Sequence, residues 1–164
     1  MKKLFLLFFV FFCTNITFAQ KTTKTETICH KVKGEGSCLH TDYFLANVMI
    51  FNENMEIESH NFGLLVQDDD YDCLNNHFEI IQGSAQEVYD FLIKIESLFE
   101  KLTSGMSITE GDYSFRRFKY LTANEISVRK VDSKKTHSFS KNNIKKIKKK
   151  LIAYCEQNNI KIEF

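Results

Sequence analysis

Apolar positions along the chain repeat with two different periods. Leu4 to Cys13 forms an unbroken apolar run of ten residues that follows Lys2 and Lys3. A more polar stretch then ends at Thr17-Phe18-Ala19. A positive start, an apolar centre and small residues at −3 and −1 are the parts of an export signal, with cleavage expected before Gln20. Ten apolar residues are too few to span a bilayer core. Residues 1–19 are therefore set aside as a signal peptide, and 20–164 are taken as one compact domain.

Within that domain, residues 20–28 are rich in Lys and Thr and read as a lead-in. Tyr43–Phe51 is aromatic and β-branched, and too short for an ordinary helix, which predicts a strand. Ile57–Val66 predicts a second strand with Gly63 as a bulge or close contact, and Phe78–Ile81 a third. Ser84 and Glu87 have the spacing of a capping box. Val88, Phe91, Leu92, Ile95, Leu98, Phe99 and Leu102 then recur at helical spacing, which predicts a helix over 85–102 with Gly105 at its exit.

Strand signals return over 113–139. Tyr113 and Phe115 share one parity and Phe118 and Tyr120 the other, so a bulge near Arg116 and Arg117 is expected. Ile126 and Val128 define another strand, and Thr136–Phe139 a further one. Ser140 caps a second helix, whose apolar side is Ile144, Ile147, Leu151, Ile152 and Cys155. Asn158 or Asn159 supplies a left-handed exit, and Ile160–Phe164 is expected as a terminal strand. The fold class is α+β: an antiparallel sheet with both amphipathic helices packed on one face. The order βββα occurs twice, which suggests a weak internal duplication.

Composition sharpens this picture. The chain has 164 residues, 16 Phe, 5 Cys, 6 Gly, no Pro and no Trp. Collagen-like and proline-rich classes are excluded. Without residues 1–19 the domain holds 20 basic and 21 acidic side chains. That near balance conceals segregation: residues 128–150 carry ten basic side chains against Asp132 alone. Six of these lysines fall in the first three turns of the last helix, the end its dipole disfavours for cations. Helix stability does not explain that placement. The stretch Lys141–Lys150 suits an acidic protein, a glycan or an anionic surface. Arg129, Lys130, Lys141, Lys145, Lys146, Lys148 and Lys149 are the candidate contact residues, together with the neighbouring sheet edge. Export argues against nucleic acid as the partner.

Cys29, Cys38, Cys73 and Cys155 remain after cleavage, and an exported chain permits disulfides among them. The turn at Gly34–Gly36 favours Cys29 with Cys38, which leaves Cys73 for Cys155; a buried thiol is the other fate open to Cys155. Cys29, His30, Cys38 and His40 are zinc-type donors, but Cys29 and His30 are adjacent and point apart on a strand. Asp68, Asp70, Asp72 and Glu79 have calcium-loop spacing, although Cys73 stands where that loop wants Gly. Calcium is the one cofactor this pattern suggests. Catalytic signatures such as a nucleophile elbow, a zinc-protease helix or a P-loop are absent from the sequence. The expected function is a non-enzymatic exported domain that binds another macromolecule. A small secreted hydrolase or metal-dependent enzyme and a structural envelope protein are the alternatives.

Overall fold

The computed structural model describes residues 21–33, 40–67, 77–121 and 123–164. Four strands come first: β1 (Thr23–Lys33), β2 (His40–Phe51), β3 (Ile57–Gln67) and β4 (His77–Gly83). They pair in sequence order as an antiparallel meander, and helix α1 (Ala85–Lys101) follows. The pattern then repeats with β5 (Ser107–Glu110), β6 (Tyr113–Tyr120), β7 (Ala123–Lys130) and β8 (Thr136–Ser140), again in sequence order, followed by α2 (Lys141–Gln157). The repeat is therefore real at the level of topology. Each unit has one strand more than the sequence pattern suggested.

The two helices are each 17 residues long and start in the same way. The Ser84 hydroxyl accepts from the Glu87 backbone N–H at 3.2 Å, and the Glu87 carboxylate accepts from the Ser84 N–H at 2.7 Å, which completes the capping box. Those bonds hold the Glu87 carboxyl below its ordinary range. Ser140 caps α2 by accepting from the Asn143 N–H at 3.2 Å. At the other end of α2, Asn159 has φ 55°, the left-handed exit expected there.

Alternation decides which face each sheet buries. In β2 and β3 the pairs Tyr43–Val66 and Leu45–Leu64 lie side by side, and all four are buried. In the second sheet Phe115 pairs with Val128 and Ile126 with Phe139, all fully buried. The helices close over these faces with Val88, Leu92, Ile95, Ile144, Ile147 and Leu151. α1 packs on β3, β4 and β7, and α2 on β1 and β8, so each helix ties the two sheets together.

The strands form two four-stranded antiparallel sheets where one was expected, and three further details depart from the sequence pattern. The lead-in is largely strand β1, an edge strand whose threonines and lysines suit its exposure. β6 runs in unbroken register from Tyr113 to Tyr120, without a bulge at Arg116 and Arg117. Phe118 satisfies its parity by facing outward, where it is exposed, while Arg117 takes the inner position. Residues 160–164 do not form a strand; Glu163 is instead held by Gln86, whose side chain bonds both its N–H (2.7 Å) and its carbonyl (3.3 Å).

Candidate functional site

The lysines of α2 fall into two groups. Helical geometry sets Ile144, Ile147, Leu151, Tyr154 and Cys155 on the buried side. Lys141 and Lys148 lie on the flank that meets α1. Lys141 Nζ is 3.2 Å from Glu100, and Lys148 is paired with Glu96. Glu96 and Glu100 are one turn apart on α1, while their partners are two turns apart on α2 and in reverse order, so the helices run antiparallel. The adverse placement of these two lysines relative to the α2 dipole is thereby compensated by carboxylates from the neighbouring helix.

The second group is Lys145, Lys146, Lys149 and Lys150. All four are exposed, and among the described residues none forms an ion pair. Lys145 and Lys149 are one turn apart, as are Lys146 and Lys150, so four ammonium groups share two turns on the side opposite the core. Like charges at this spacing destabilise a helix by a few tenths of a kcal/mol per pair, roughly. Folding alone gives no reason to keep them together.

Arg129 and Lys130 do not join this surface. Arg129 lies on the open side of β7, away from the helices, since Val128 beside it is fully buried. Lys130 sits at the strand end with its Nζ 4.0 Å from Glu79. The expected contact set is thus divided between two sides of the molecule. Of the calcium-spaced carboxylates, Glu79 is on β4 beside Lys130, and Asp68, Asp70 and Asp72 lie outside the described residues. Cys29 and Cys155 carry free thiols, while Cys38 and Cys73 lie outside the described residues. Burial raises both described thiols, Cys155 to about 11, which suppresses their nucleophilic form at neutral pH.

A second polar group joins the sheets. Asp42 is buried on β2 and meets Lys31 Nζ at 2.7 Å. His137, 1% exposed on β8, donates from Nδ1 to the Gln67 carbonyl at 3.0 Å and sets Nε2 3.7 Å from Asp42. A carboxylate orienting an imidazole is a catalytic element in many sites. Here both groups are buried: the His137 hydrogen bond joins β8 to β3, and its charge contact with Asp42 joins β8 to β2. Of the other histidines, His30 is exposed and His60 accepts from Asn47 Nδ2 at 2.8 Å. His77 packs edge-on against Phe44.

Two further anchors were not visible in the pattern of apolar positions. The Tyr154 hydroxyl accepts from Asn47 Nδ2 at 3.1 Å and donates to Glu26 at 2.9 Å, fastening α2 to β2 and β1. The Arg117 guanidinium donates to the Leu102 carbonyl at 2.8 Å, to the Phe99 carbonyl, and to Asn124 Oδ1 at 3.1 Å. It supplies the α1 C-terminus with donors and a positive charge, where the helix has carbonyls without intrahelical partners.

These features define an α+β domain of two ββββα units that presents, on its last helix, four exposed lysines without ion-pair partners among the described residues. No known family model matches the sequence, and no curated protein matches it either.

Proposed function

We propose that this chain is an exported, non-enzymatic binding domain whose partner is an acidic protein, engaged through Lys145, Lys146, Lys149 and Lys150. The observation that carries this reading is the division within α2. Where lysines meet the rest of the domain they are matched by Glu96 and Glu100. Where they face outward, four are left without a carboxylate among the described residues. Lysine offers a mobile point charge rather than a planar fork, which suits a diffuse acidic surface and favours fast, salt-sensitive association.

The apolar side of α2 is spent on the core. A helix that lies in a membrane needs that side for lipid, so the contact rests on charge. No helix among the described residues is long and apolar enough to cross a membrane.

The test uses polyglutamate as a defined acidic polypeptide, with the protein at low and high salt. The expected result is binding that weakens at least tenfold on reversing Lys145, Lys146, Lys149 and Lys150 to Glu, with a melting temperature that does not fall. Equal affinity before and after reversal overturns the assignment.

A further inference from the structure

The open face of the second sheet carries two of the three arginines of the chain. Because Phe115, Ile126, Val128 and Phe139 point into the core, their strand neighbours point the other way. One row across the four strands reads Ser107, Arg116, Ser127, Ser138. The adjacent row reads Thr109, Ser114, Arg129, Thr136. Each row is one guanidinium flanked by hydroxyls. On the matching face of the first sheet, half-buried Val48 and Ile50 stand between Thr25 and Asn61 and between Thr23 and Ser59, so hydroxyls occur on both faces and the guanidiniums on the second alone.

Arg116 and Arg129 are diagonal neighbours on β6 and β7, which sets their attachment points about 7–8 Å apart. Both are exposed, and neither forms an ion pair among the described residues. Arg116 lies over the Phe118 ring, 4.9 Å from its centroid, leaving a flat apolar edge beside the charge. Glu125, opposite Phe118, closes this end of the face with a negative charge. Diagonal neighbours at this spacing are within reach of long side chains, so one anion can lie between the two guanidiniums and offset their mutual repulsion.

We propose that this face binds an anionic polysaccharide, with Arg116 and Arg129 each holding a carboxylate or sulfate of the sugar chain. Guanidinium forks match planar oxyanions in pairs of hydrogen bonds. The serine and threonine hydroxyls both donate and accept, as sugar hydroxyls do. Phe118 offers its ring edge to the apolar side of a sugar. The other macromolecular classes fit less well. Protein interfaces concentrate aromatic side chains at their centre and are depleted in Ser. Single-stranded nucleic acid is held on successive aromatic platforms, and this face has one exposed ring.

The surface lies across the sheet from the α2 lysines, so the inference stands independently of the acidic-protein reading. The test measures binding of the full chain to oligogalacturonate, to dextran sulfate and to neutral dextran. The expected result is binding to at least one of the two anionic sugars and none to neutral dextran. R116A/R129A is expected to reduce that affinity at least tenfold, and R116K severalfold, because a lysine keeps the charge without the fork. Reversal of the α2 lysines is expected to leave it within twofold. Both substitutions are at exposed positions, and an unchanged melting temperature establishes that the fold is kept. The proposal is overturned by no binding to either anionic sugar, by equal binding to neutral dextran, or by R116A/R129A affinity equal to that of the parent.

Discussion

Lys148 separates a structural lysine from a binding lysine, and Lys148→Met tests that division. Lys148 and Glu96 are each 21% exposed and join α2 to α1. Exposed pairs contribute about 0–1 kcal/mol. Breaking a fully buried pair costs about 3–5 kcal/mol, because the remaining charge is stranded. At one-fifth exposure Glu96 keeps partial access to water, so the expected loss is about 2 kcal/mol. In a domain of this size that lowers the melting temperature by about 4–8 °C. Glu96→Gln is expected to cost less, about 1 kcal/mol, since the lysine stem can extend its ammonium to solvent. Urea denaturation of both single variants and the double variant gives a coupling of about 1 kcal/mol. Affinity for polyglutamate stays within twofold for Lys148→Met and falls severalfold for Lys149→Met. A stability loss below about 0.5 kcal/mol, together with equal binding losses for the two variants, would refute the division.

Three other perturbations probe the frame that holds this helix. Tyr154→Phe removes the link between Asn47 and Glu26; Asn47 retains His60 and exposed Glu26 can rehydrate, so chemical denaturation should read a loss of about 1–2 kcal/mol. Arg117→Met leaves the carbonyls at the end of α1 without their charged donor and is expected to cost about 3 kcal/mol, with Arg117→Lys recovering part of it. Burial, aided by the Cys29 thiol and the Asp42 carboxyl, pushes Tyr43 up to about 12. The unfolded chain releases that proton near pH 10. Tyr43 should therefore withdraw on the order of 2–3 kcal/mol as pH rises from 10 to 12, beside the loss from the raised Cys155 thiol, and Tyr43→Phe should make the slope shallower in urea midpoints measured at pH 8, 10 and 11.

Much of the frame was legible because local signals agreed with tertiary packing. The apolar stripe from Val88 to Leu102 and the box formed by Ser84 and Glu87 specify α1 almost to the residue. Ser140 and the Ile144–Ile147–Leu151 stripe do the same for α2. β1 escaped notice because an edge strand needs few apolar side chains, and its Thr and Lys residues resemble a loop. β5 is four residues long and shows no alternation strong enough to detect. Phe118 misled for a physical reason: an aromatic ring on a strand is normally placed inward, yet here Arg117 takes that place to reach the end of α1.

The candidate site was legible only as a charge run. Sequence spacing grouped Lys141 and Lys148 with the exposed lysines, because their partners lie on a helix that ends forty residues before α2 begins. The grouping of Arg129 with the helix failed for a related reason. Strand parity places it on the far side of the sheet from α2, and no linear count of charge carries that information. The hydroxyl rows were invisible for the same reason, since four strands must pair in register before Ser107, Arg116, Ser127 and Ser138 become neighbours.

The most direct test of the binding assignment is the salt dependence of polyglutamate affinity for the parent chain and for stepwise neutralisation of Lys145, Lys146, Lys149 and Lys150. The account predicts steep loss of affinity with rising salt, and a slope that becomes shallower with each lysine removed. A slope that is unchanged across the series would contradict it.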